Sequence, residues 1–106
     1  MKPPKPSRYP RLWKIRNHWY QLLKMRRLKD DDAGGADWEN KVMLVSLNQS
    51  DYEFLASMFH EWLHCVAFEY DIKALQDLRI GHPIINKLEY ALADLFIQHF
   101  KFKKAP

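Results

Sequence analysis

Residues 58–66 read MFHEWLHCV. His60 and His64 stand four apart, with Glu61 directly after the first. On an α-helix, residues i and i+4 lie one turn apart on the same face. His60 and His64 can therefore present two imidazole nitrogens to one zinc ion at about 2.0–2.1 Å. Glu61 falls about 100° further round the helix. From there it reaches a zinc-bound water more readily than the ion, which is the place of a general base. With 5 His in 106 residues, a chance HExxH has a probability of roughly one in a hundred. The neighbours Trp62, Leu63, Cys65 and Val66 are uncharged, so the motif reads as part of a buried helix. Two histidines and a glutamate buried together need partners, because unpaired polar groups in a core are costly. The plain alternative is a helix whose histidines only hydrogen-bond to their neighbours.

The flanks of this stretch define its helix. SDYE at 50–53 is a capping box: Ser50 can accept from the backbone N–H of Glu53, and Glu53 can reach back to Ser50. The helix is expected from about Asp51 to Tyr70. Ala56, Ser57 and Ala67 fall within about 60° of His60 on its wheel, so a second helix can approach that face closely. A second helix is predicted from His82-Pro83, where proline suits the first helical position, to about Phe100. A KFKKAP tail follows it. Residues 71–81 are a connector, with a helical turn in KALQDL.

A zinc site needs a third protein ligand, and the second helix offers two. Ile85, Leu88, Leu92 and Phe96 mark its apolar face, and Glu89 falls on it. A carboxylate there is anomalous unless it is paired or metal-bound. His82, seven residues earlier, projects from nearly the same side. Glu89 is the preferred third ligand and His82 the alternative; Asp94 and Glu69 trail. If His82 is not a ligand, it can stabilise an oxyanion as a donor. Tyr70 and Tyr90 are further donors of that kind, though each reads first as structural. Cys65, Phe54, Phe59, Trp62 and Phe68 read as core.

Upstream, KVMLVSL at 41–47 is a buried strand by its β-branched and aliphatic content. KDDDAGGADWEN at 29–40 reads as a turn-rich loop. LWKIRNHWYQLLKM at 12–25 fits a helical face, but its residues also suit strands. A β-hairpin is expected there, with strands near 12–16 and 19–25 about the polar RNH. Residues 1–10 hold four prolines and read as a flexible Pro/Lys-rich tail.

Length and composition set the frame. A chain of 106 residues with 47% hydrophobic and 14% aromatic content is one packed domain, expected over residues 11–102. The net charge is +4, and ten Lys and Arg residues from Lys2 to Lys29 precede the first acid, Asp30. Such a basic half suits a nucleic-acid or acidic-protein partner, or simply a solvated surface. MKPPKPSRYPR has no apolar run and does not read as a signal peptide. No stretch is apolar enough for a membrane span. The single cysteine excludes an internal disulfide and fits a reducing compartment.

From residue 12 to residue 100 the order of parts resembles small zincin-type metallopeptidases encoded by phages and prophages. The parts are WKIRNHWYQLL, the GGADWENK loop, the KVMLVSL strand, the HEWLH helix and a closing helix with LEYALADLF. HEWLH is the specific element. GHP at 81–83 is similar to the third-histidine context of SprT-like proteases, whose zinc ribbon is absent here. LEYALADLF is similar to the glutamate-bearing helix of ImmA/IrrE-like peptidases and other gluzincins, with an offset from Glu89 to Ala93 one residue longer. The metzincin extension is missing, since Tyr70 stands where its histidine would be. The resemblance implies that the strand Lys41–Leu47 lies along the active-site cleft and pairs with extended substrate.

The expectation is an α+β domain, a small antiparallel sheet of about three strands packed on two helices, with zinc between them. The expected activity is zinc-dependent hydrolysis of peptide bonds. His60, His64 and either Glu89 or His82 hold the metal, and Glu61 activates the water. The expected partner is a protein or peptide substrate, in the cytoplasm (of the host, if phage-encoded). The alternative is a non-catalytic zinc-containing binding module of phage origin for nucleic acid or a protein.

Overall fold

The polar interruption in LWKIRNHWYQLLKM is a turn. The computed structural model, which describes residues 2–99, pairs β1 (Leu12–Ile15) with β2 (His18–Met25) antiparallel, Ile15 opposite His18. Arg16 and Asn17 form a two-residue loop, with Arg16 at φ 55°. Tyr20 and Leu22 are buried, whereas Trp19 and Gln21 are exposed. That period of two belongs to a strand with one face on a core.

The next pair is a second hairpin, β3 (Gly34–Asp37) and β4 (Val42–Ser46). Its turn is held by Asp37, whose carboxylate accepts from Asn40 N at 3.1 Å and from Asn40 Nδ2 at 2.7 Å. β4 then lies parallel to β2, from Gln21 opposite Val42 to Met25 opposite Ser46. The sheet has the order β1-β2-β4-β3. The α+β class is as expected, but the sheet has four strands and is mixed. The extra strand comes from GGAD, inside the segment expected to be a loop. Because β4 is paired on both sides, it cannot itself take up an added strand; β3 is the sheet edge on that side.

The helices are α1 (Asp51–Glu69), α2 (Lys73–Gln76) and α3 (Gly81–His99). Ser50 Oγ accepts from Glu53 N at 3.1 Å, one half of the expected capping box. The Glu53 carboxylate accepts instead from Tyr90 OH on α3, at 2.9 Å. The first residue of α3 is a glycine where nothing larger fits: a Cβ at Gly81 would lie 2.3 Å from the Leu75 carbonyl oxygen. On α3 the buried face is Gly81, Ile85, Ala93 and Phe96. Leu92 packs partly buried against the core as expected, and of the expected apolar face Leu88 alone turns outward, at 40% exposure. The KFKKAP tail lies outside the described residues.

The core lies between the sheet and the helix pair. Tyr20, Met43 and Val45 meet Phe54, Leu55 and Met58 of α1, with Phe96 of α3 behind them. Each such side chain contributes about 1.5–3 kcal/mol on burial. Tyr9 belongs to this core and not to a tail. It is 3% exposed, stacks on Phe54 at 5.6 Å, and its carbonyl accepts from Lys24 Nζ at 3.0 Å. An aromatic ring with an apolar slot in reach overrides a proline-rich context. Phe68, expected in the core, is instead exposed and stacked on Trp38. Among the described residues, no helix is long and apolar enough to cross a membrane.

Candidate metal centre

α1 carries His60 and His64 on the face that α3 crosses, and α3 begins beside them. His60 Nε2 lies 3.1 Å from His64 Nε2 and 3.1 Å from His82 Nε2. One nitrogen of each ring falls within 4.8 Å of the others. Glu89, two turns along α3, meets the opposite nitrogen of the same ring: His60 Nδ1 donates to Glu89 Oε1 at 3.3 Å. The two rivals for the third ligand thus take different places. His82 shares the point on which His60 and His64 converge, while Glu89 stands behind His60.

This set fits a zinc ion on two counts. Nitrogens bound at 2.0–2.1 Å in a tetrahedron lie about 3.3 Å apart; both His60 pairs, at 3.1 Å, match this, and the His64 and His82 nitrogens stand within a wider 4.8 Å of each other. Donor accounting gives the second. With Nδ1–H directed at Glu89, neutral His60 has one lone pair left, on Nε2. Two ring nitrogens face that lone pair, more than one acceptor serves well, whereas a cation satisfies all three at once. Burial, and then the charge of His82, holds the His60 pKa below its usual value. Burial, then His60 and His82, pushes His64 down to about 4. Both rings therefore favour the neutral form that a metal requires.

Comparison with protein-family models, curated proteins and solved structures returns no match. What the cleft can do therefore follows from its own geometry.

The histidines open into a cleft of about 390 Å³, lined also by Asp32, Ala33, Gly34, Ser57, Glu61 and Glu89. Besides the histidines, the titratable side chains in this lining are acids, whose ionised forms a bound cation would stabilise. Glu61 is 7% exposed. Its pKa is raised to about 8, first by burial and then by the nearby charges of Glu89 and Asp32. It lies so close to β3 that a Cβ on Gly34 would sit 2.7 Å from its Oε2. Ser57 Oγ donates to Gln49 Oε1 at 3.0 Å, fixing the rim.

The remaining sequence candidates sit elsewhere. Asp94 accepts from Tyr52 OH at 2.7 Å. Glu69 is held by His18, Tyr20 and Lys41. Tyr70 is exposed beneath the Arg16 guanidinium, and Tyr90 donates to Glu53. Cys65 is fully buried, and burial pushes its thiol up to about 12. Asp32 and Gly34 line the cleft without having been singled out from sequence. The glycine pair in GGADW was their one signal, and a turn explains such a pair equally well.

Proposed function

We propose that the protein is a zinc-dependent peptidase of the zincin type, with His60, His64 and His82 as ligands and Glu61 as general base. The observation that carries this is the convergence of three Nε2 atoms in a cleft that also holds a buried glutamate. A zinc ion there would supply a Lewis acid for the scissile carbonyl and lower the pKa of a bound water. Among the described residues three could hold the ion, which suits a catalytic site with one place open better than a closed structural one.

Glu61 takes the proton of the attacking water and returns it to the leaving amine. Its burial raises its affinity for that proton and keeps competing water away. Glu89 accepts from His60 Nδ1, fixes the ring's tautomer and aims Nε2 at the shared point. Extended substrate adds to the outer edge of β3, where backbone groups lack a neighbouring strand. The GHP setting of His82 favours the SprT-like variant of the plan over the glutamate-ligand one. The lone buried Cys65 fits a cytoplasmic protein.

The test is direct. Protein purified without chelator should carry one equivalent of zinc by elemental analysis and cleave peptides in a mixed library. Chelation should abolish cleavage, and added zinc should restore it. Protein free of transition metal would sink the proposal.

A further inference from the structure

A second pocket, of about 180 Å³, adjoins the metal centre at the far end of β3. Glu61 and His64 line it as well as the main cleft. Its other walls are mostly apolar: Ala36 and Trp38, Ala67, and Leu75 and Leu78 from the connector to α3. Gln76 is its remaining polar residue, and that amide is engaged, donating to the Ala67 carbonyl at 2.9 Å. The Trp38 wall is braced from behind by stacking on Phe68, with ring centroids 5.4 Å apart at 11°.

We infer that this pocket selects the substrate, taking an apolar side chain of leucine to phenylalanine size on a residue flanking the scissile bond. The inference rests on the peptidase reading above. Three observations support it. The first is size, since a cavity of about 150 Å³ is enough to hold benzene. The second is continuity: two walls of the pocket are the general base and a ligand, so its occupant belongs to a residue next to the reacting carbonyl. The third is the strand's own period. Gly34 and Ala36 share one face of β3, about 6.5 Å apart, and Trp38 follows in the turn just after the strand. Gly34 touches Glu61, so the pocket opens within one or two residues of the reaction along any peptide paired with that edge.

Leu78 is the residue to change, because it is 72% exposed and its replacement leaves the core intact. The zinc-loaded full chain should cleave a mixed peptide library with leucine, methionine or phenylalanine enriched at one fixed flanking position. Leu78→Glu should lower kcat/KM for those peptides about ten-fold or more, the scale of a lost apolar contact in a specificity pocket. Peptides with alanine at that position should change less than two-fold. Ala36→Leu, which narrows the pocket, should move the preference toward smaller side chains. Cleavage without apolar enrichment, or with enrichment that both variants leave intact, overturns this inference and leaves the peptidase reading standing. No cleavage of any peptide by zinc-loaded protein overturns the peptidase reading, and this inference with it.

Discussion

At the scale of single residues, the proposed chemistry divides between two glutamates, Glu61 beside His60 in the motif and Glu89 on the facing helix. Glu61 lines the cleft, while Glu89 bonds His60 Nδ1. Glu61→Gln should keep fold and zinc but lower kcat by about 10²–10⁴, the range for loss of a general base. Steady-state kinetics beside elemental analysis would separate the two effects, and unchanged kcat would remove Glu61 from the chemistry. Glu89→Gln should keep one zinc per chain but weaken its binding about 10–100-fold, as loss of a ligand's hydrogen-bond partner does. His82→Ala should lose the metal on dialysis. In the cobalt-substituted protein, Glu89→Gln should leave the visible spectrum of a three-histidine site in place. A changed ligand set in that variant would return Glu89 to the position of third ligand. The placement of His60 and His64 on one face was legible because that geometry is local to one helix. Which of His82 and Glu89 comes to His60 Nε2 was not, because they are seven residues apart on one helical face. Only the crossing of α1 by α3 determines which of them reaches Nε2.

At the scale of elements, β3 shows why the loop expectation failed at GGAD. Glycine is a weak strand former, so propensity argues against a strand. The backbone pairs with β4 all the same, and Gly34 is required by what lies against it. A Cβ at Gly34 would stand 2.7 Å from Glu61 Oε2 and 3.0 Å from the Leu44 carbonyl, whereas one at Gly35 meets only Leu44 Cδ1 at 3.9 Å. Gly34→Ala should therefore displace the Glu61 carboxylate and lower kcat about 10²-fold, the cost of a misplacement near 1 Å. Gly35→Ala should leave activity nearly unchanged, and equal losses in the two variants would refute the close-contact explanation. The start of α1 and its Ser50 cap were legible, since Ser50 and Glu53 are three residues apart and their bond is local; the turn of the Glu53 carboxylate to Tyr90 was not. Ser50→Ala should cost about 1 kcal/mol and lower Tm by about 4–8 °C, read by thermal melting. The parallel β2–β4 pairing and the burial of Tyr9 were not legible. Both depend on surfaces supplied by distant segments.

At the scale of the whole molecule, one carboxylate ties the hairpin, the start of β4 and the end of α1 together. Glu69 is the last residue of α1, and its side chain is 3% exposed. It accepts from Tyr20 OH at 3.0 Å and Lys41 Nζ at 3.2 Å, and pairs with His18 Nδ1. Its backbone carbonyl accepts from Arg16 at 2.8 Å. Burial alone would raise the Glu69 pKa, but the hydrogen bonds from His18, Lys41 and Tyr20, with the Lys41 charge, outweigh it and bring the pKa below the usual 4.5. The folded state thus binds this proton more weakly than the unfolded chain. The stabilisation is fully present above about pH 4.5 and is lost as pH falls through the lowered folded value. Glu69→Gln should cost about 1–3 kcal/mol at pH 7, since it leaves Lys41 and the hairpin with a poorer acceptor. The gap between variant and wild type should narrow as pH falls below 4.5, because the wild-type carboxylate is then protonated too. Urea unfolding of both proteins from pH 3 to pH 7 measures that gap directly. A constant gap would mean that Glu69 holds the hairpin to the helix by packing, with no part for its charge. A narrowing one would make this carboxylate a titrating tie that sets the acid limit of the fold.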